Sequence, residues 1–183
     1  MYHELVITIL LRRDIIHENS YEFLSTHLNK GMLQDEKLKE VHKENKFKFF
    51  SFSNLMPIEK DKRYKRGQVY YFNLRSIDIN FLVKMKRVIG YDNPNCKVIS
   101  SEIKTCNPQF ISRIITLSPS IATLDGDGSK RYWVKEDGLS LIMDRICSNA
   151  NRKYEAYYKK EVKRDHCFIE SIIQTNKFGI KIP

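Results

Sequence analysis

The 183-residue chain holds 32 Lys and Arg against 22 Asp and Glu, a net charge of +10, with 42% hydrophobic residues. That composition excludes a disordered or collagen-like chain, and no apolar run reaches the roughly 18 residues of a membrane-spanning helix. Residues 1–90 carry 17 basic and 11 acidic side chains and the remainder 15 and 11, so the excess is not a detachable tail and favours an anionic partner, nucleic acid or an acidic surface.

The start, residues 2–11 (YHELVITILL), is β-rich and predicts a strand. Arg12 and Arg13 follow the apolar stretch, the reverse of a secretion signal, so a cytoplasmic chain without membrane contact is expected. Residues 20–29 show helical spacing of Tyr21, Leu24 and Leu28, with Ser20 as the N-cap. A second helix is expected over residues 35–43. Residues 47–55 (FKFFSFSNL) predict an aromatic strand that Pro57 ends, and residues 68–75 its hairpin partner. The stripe Ile77, Phe81, Leu82, Met85 and Ile89 predicts an amphipathic helix, and residues 96–102 a closing strand. The order strand, helical hairpin, strand, strand, helix, strand is ferredoxin-like, with the first helix split in two.

A boundary is expected at residues 105–109. Beyond it come a strand over residues 110–124 bent at Ser118-Pro119, a turn at residues 125–128, a returning segment at residues 130–134, and a helix over residues 136–160. That helix should turn Leu139, Ile142, Met143, Ile146 and Ala150 inward. A hairpin closes the chain around Asn176. The fold class read from this order is α+β: two tandem ferredoxin-like, RRM-like domains, residues 1–104 and 109–183, the second lacking its last helix and strand.

The cysteines Cys96, Cys106, Cys147 and Cys167 form no CxxC pair, so buried reduced thiols are expected rather than a zinc site. Phosphate-loop, dinucleotide and zinc-protease motifs are missing from the sequence, and no cofactor or metal is expected. The chemistry concentrates at His42 and Lys48, a histidine closing a helix and a lysine opening a strand. Histidine exchanges a proton near neutral pH, and lysine can stabilise a developing anion. Those capabilities suit metal-free RNA cleavage, in which a base activates the 2′-hydroxyl and an acid protonates the leaving 5′-oxygen. His27, on the preceding helix, is the second candidate proton carrier. Each has a plainer reading: His42 beside a helix dipole, Lys48 on a solvent face, His27 as an exposed helix residue. His3, His17 and His166 have no constellation around them and are expected to be structural.

The loop of residues 60–66 (KDKRYKR) holds five basic residues in seven and adjoins Tyr70, Tyr71 and Phe72. Cations that grip phosphates beside aromatics that stack on bases suit single-stranded RNA, although a solvated hairpin loop would look the same. Lys46, Lys62, Arg63, Lys65 and Arg66 are the candidate RNA contacts here, with Lys130, Arg131 and Lys153 in the second half.

Val41-His42 followed by Phe49-Phe50-Ser51-Phe52-Ser53-Asn54-Leu55, then Thr116-Leu117-Ser118-Pro119, then Asn151-Arg152-Lys153-Tyr154-Glu155-Ala156-Tyr157-Tyr158, resembles the CRISPR-associated endoribonuclease family that processes precursor CRISPR RNA, in the RAMP group. The resemblance implies paired ferredoxin-like domains and metal-independent cleavage of CRISPR repeat RNA to 5′-hydroxyl and 2′,3′-cyclic phosphate ends. It aligns His42 and Lys48 with the family's catalytic histidine and lysine. His27 falls where some members carry a tyrosine. It is compatible with a homodimer and with contacts to CRISPR effector-complex subunits. Family members usually end in a glycine-rich loop, whereas this chain has only Gly179 near its end, so C-terminal truncation is expected. The competing readings are a non-catalytic RNA-holding RAMP subunit and a protein-binding scaffold.

Overall fold

The computed structural model describes residues 1–44, 46–107, 123–126 and 129–162, in two compact units, Met1–Leu117 and Ser118–Pro183. Of the expected strand over residues 110–124, residues 110–122 with the Ser118-Pro119 bend lie outside the described residues, as does the closing hairpin.

In the first unit the strand β1 (Tyr2–Leu11) alternates strictly: Leu5, Ile7, Ile9 and Leu11 are buried and their neighbours are partly exposed. That period of two lets one face pack while the other meets solvent. β1 is central. It pairs antiparallel with β5 (Val69–Ser76), placing Leu5 opposite Leu74 and Ile7 opposite Phe72, and on its other side with β6 (Cys96–Cys106). The short β3 (Phe50–Phe52) lies at the edge against β5, giving the order β3-β5-β1-β6. Only these three residues of the expected aromatic strand enter the ladder; Met56 then makes an isolated bridge to Tyr71.

Three helices cover the buried face. α1 (His17–Met32) contributes Leu24, Leu28 and Met32, α2 (Glu36–Lys43) contributes Leu38, and α3 (Ile79–Val88) contributes Phe81, Leu82 and Met85. The Asp35 side chain caps α2 by accepting from the Leu38 N–H at 3.0 Å, and Asp78 caps α3 in the same way. Ser20 is not a cap. α1 begins a turn earlier, and the buried Ser20 hydroxyl donates to Asn54 Oδ1 at 2.6 Å, tying α1 to the segment after β3. A two-residue ladder joins β2 (Ile15–Ile16) to β4 (Arg63–Tyr64), with Ile16 opposite Arg63.

In the second unit β7 (Thr123–Gly126) and β8 (Ser129–Tyr132) form the expected hairpin, and α4 (Leu139–Tyr158) the expected helix. The inward stripe on α4 is corrected. None of its side chains is buried, and Leu139 and Ile146 are 49% and 46% exposed. The sequence shows an amphipathic period, which marks an apolar face without specifying what covers it.

Candidate functional site

The turn between α2 and β3 brings two of the sequence-predicted residues together. His42 lies on the last turn of α2 with its ring exposed. Lys48, two residues before β3, folds back over that helix end. Its ammonium donates to the carbonyl oxygens of Val41, of His42 at 3.1 Å and of Glu44 at 2.6 Å. The last carbonyls of a helix lack intrahelical donors and carry the negative end of its dipole. A lysine there completes their hydrogen bonds and holds a positive charge beside the imidazole-bearing turn. Lys46 also lies on this turn, with its ammonium 3.4 Å from Glu44 Oε1.

His27 is placed differently. It is 1% exposed, not on a solvent face, and none of its described hydrogen bonds goes to His42 or Lys48. Its Nδ1 accepts from Asn93 Nδ2 at 2.8 Å and lies 3.0 Å from the Tyr91 hydroxyl, with Cys96 Sγ at 3.9 Å. Burial pushes its pKa down to about 4, so the ring is neutral near pH 7. Its Nε2 is buried without a partner among the described residues, and an unmet buried group of this kind costs about 1–3 kcal/mol. The expectation of His27 as an exposed residue is thereby corrected: the helical face that buries Leu24 and Leu28 carries it inward. His3 and His17 are satisfied by Thr105 Oγ1 and the Tyr64 hydroxyl, each at 3.0 Å.

The basic loop is exposed but internally organised. Lys62 adopts a left-handed backbone (φ 54°), and its carbonyl accepts from the His17 N–H at 2.9 Å. Lys65 pairs with Asp61 at 3.4 Å. A hydrogen bond from the Arg63 backbone N–H, then the Lys65 side chain, holds the Asp61 carboxyl below its usual range. The Arg66 N–H donates to Asp14 Oδ1 at 2.7 Å. The loop is thus pinned at both ends, with the side chains of Lys62, Arg63 and Arg66 outward.

In the second unit Arg131 is committed to Asp137 by two hydrogen bonds of 2.5 and 2.7 Å, and that pairing first, with the Val134 N–H second, lowers the Asp137 pKa to about 2. A guanidinium neutralised in this way is a poorer phosphate ligand than the sequence suggests. Lys130 lies on β8 opposite Asp125, and Lys153 is exposed on α4.

Sequence reasoning missed a cleft of about 390 Å³ on the first unit, between residues 13–16, α1 and the turn at residues 93–95, with His27 and Asn93 in its lining. The Asp92-Asn93-Pro94-Asn95 run was the available signal, since such residues build tight turns through their own side chains.

No family model matches the chain. It is 26% identical over 152 residues to the "CRISPR-associated endoribonuclease Cas6 2" of Methanocaldococcus jannaschii. The match covers 78% of this chain and 62% of the relative, so the chain spans under two thirds of that protein's length. Two solved structures share the fold at a TM-score of 0.61. One is a "CRISPR associated protein Cas6", 18% identical, covering 88% of this chain and 74% of that one. The other is "An RAMP protein binding different RNA substrates", 16% identical, covering 89% and 75%. The fold is a mixed α+β arrangement of the kind seen in RAMP proteins. The chain is thus similar in sequence to a Cas6 endoribonuclease and in fold to Cas6 and RAMP proteins.

Proposed function

We propose that the chain is a metal-independent endoribonuclease that cleaves CRISPR repeat RNA in precursor transcripts. In this reading residues 1–104 form a ferredoxin-like domain that carries the chemistry, and residues 109–183 a second such domain that holds RNA. The order β3-β5-β1-β6, antiparallel throughout, supports the first of these. The observation that carries the function is the anchoring of the Lys48 ammonium to the helix end that bears the exposed His42, through the His42 backbone carbonyl at 3.1 Å.

His42 is the proton carrier. It takes the 2′-hydroxyl proton or delivers one to the departing 5′-oxygen, while the 2′-oxygen attacks the adjacent phosphorus. The P–O5′ bond breaks, leaving a 2′,3′-cyclic phosphate and a 5′-hydroxyl. Lys48 offsets the charge gathering on the phosphoryl oxygens. His27, neutral and buried, has its described hydrogen bonds to Tyr91, Asn93 and Cys96 and is not assigned to the reacting atoms. The exposed Lys62, Arg63 and Arg66 hold the backbone of the RNA.

The decisive experiment offers repeat RNA in EDTA, with and without a 2′-deoxy substitution at the cut site. Cleavage of the ribose substrate alone is expected, and His42→Ala should slow it by roughly 10²–10⁴. Cleavage of the deoxy substrate would overturn the mechanism. A second reading, a non-catalytic RNA-holding subunit, is favoured by one observation: the Lys48 ammonium is already engaged with three carbonyls. Tight binding of repeat RNA that stays intact would decide for it.

A further inference from the structure

His27 and Asn93 belong to the lining of the cleft on the first unit, and their hydrogen bonding has one solution. His27 and Asn93 are 1% and 6% exposed and lie 2.8 Å apart. The Asn95 backbone N–H donates to Asn93 Oδ1 at 2.9 Å, which fixes that atom as the oxygen. The atom facing His27 is therefore the amide nitrogen, which only donates, so His27 Nδ1 accepts. A neutral imidazole has a single N–H, and here it resides on Nε2. That donor is buried and has no acceptor among the described residues. Buried donors in folded proteins nearly always have one.

The surroundings of this donor point to one kind of ligand. Arg13 and Lys30 are cations in the cleft lining, and Asn19, Glu22 and Asn95 add amide and carboxylate groups of the sort that read base edges. The basic loop shares a wall with the cleft: Ile16 pairs with Arg63, and Asp14 accepts from the Arg66 N–H. Single-stranded RNA is read through unstacked bases held by polar groups beside phosphate-neutralising cations. We propose that this cleft is a subsite for one unstacked RNA nucleotide. Its phosphate lies against Arg13 and Lys30, and an acceptor atom of its base takes the His27 Nε2–H. The inference rests on the RNA-binding part of the function proposed above and does not require cleavage.

The test uses the 183-residue chain carrying His42→Ala, with ¹⁵N-labelled histidine, and a short labelled single-stranded RNA. The His27 Nε2–H signal should shift as RNA saturates the protein. Thr26→Trp, which fills the cleft from an exposed position on α1, should weaken RNA binding about tenfold, the scale of removing one base from its site. Arg13→Glu, exposed and outside the core, should weaken it in the same direction and stands in if the tryptophan variant misfolds. A His27 signal that stays fixed at saturating RNA, or unchanged binding by the variants that fold, overturns the subsite. A signal moved by free adenosine monophosphate but not by RNA also overturns it. Cleavage by the parent chain is scored separately. RNA left intact with a shifted His27 signal keeps the subsite and removes the nuclease; cleavage with unchanged binding by the variants does the reverse.

Discussion

Acidification should destabilise the first unit through one residue. His27 titrates at about 4 in the folded chain because burial disfavours its charged form, against about 6.5 when unfolded. Between those values the unfolded chain binds more protons, so stability rises with pH across the window and is lost as pH falls through it. Above pH 6.5 both states hold a neutral ring and the contribution is complete. The linkage integral gives a loss of about 2 kcal/mol at pH 5 and about 3 kcal/mol at pH 4, relative to neutral pH. Protonation would also place a second proton on Nδ1, which accepts from Asn93, so the loss is tied to that hydrogen bond. The assay is urea unfolding at fixed pH values from about 4 to about 7.5, bracketing the two pKa values, for the parent chain and for His27→Gln, which removes the titration and keeps an amide able to meet Asn93. Carboxylates elsewhere titrate alike in both, so the difference between the two pH profiles isolates His27. Parallel profiles, or an NMR titration placing the ring near its ordinary value of about 6.5, would refute the buried, neutral assignment.

Two further outcomes follow, one from packing and one from charge. Leu38, 1% exposed, is the only buried side chain of α2, so Leu38→Ala should cost about 2–5 kcal/mol in denaturant melts and raise amide exchange in α2 while leaving β1 protected. Replacing Lys62, Arg63 or Arg66 with alanine should flatten the salt dependence of RNA binding by about 0.7 in log–log slope for each phosphate no longer neutralised, read by fluorescence anisotropy over a salt series; an unchanged slope would remove that residue from the interface.

What the sequence made legible is what local periodicity encodes. The β-rich run at residues 2–11 marked β1 to its bounds, and of the stripe Ile77, Phe81, Leu82, Met85 and Ile89 all but the half-buried Ile77 are buried as the spacing requires. What it concealed depends on partners distant in the chain. Ser20 has the local character of an N-cap, yet Asn54 recruits its hydroxyl and α1 starts at His17. The two-residue ladder of β2 and β4 is too short to leave a pattern, although it fixes where the basic loop lies. His27 shares a helical face with Leu24 and Leu28, so its burial could have been read from spacing. Its neutral state could not, because Asn93 and Tyr91 come from the turn before β6. The pairing of Lys48 with the end of α2 had only a weak signal, a lysine six residues beyond a helix-closing histidine.

The placement of these parts along the sheet constrains how an RNA strand could use them. Lys48 lies two residues before β3, which enters the ladder with Phe50 opposite Ser76, the last residue of β5. The basic loop ends at the opposite end of β5, where Val69 pairs with Leu10 and the Gly67 N–H donates to the Leu11 carbonyl at 2.8 Å. The eight residues of β5, at about 3.3 Å each, set these ends roughly 23 Å apart. A stacked strand rises about 3.4 Å per nucleotide, so an RNA touching both ends spans about seven nucleotides. The cleft around His27 belongs with the loop at the Leu11 end, through Asp14 and Ile16. Affinity and chemistry are therefore separable by length. Shortening a substrate from its loop-bound end should abolish the effect of Arg63→Ala on binding while leaving the effect of His42→Ala on the chemical step. A short RNA whose binding still depended on Arg63 would show that the strand follows a more compact path than the length of β5.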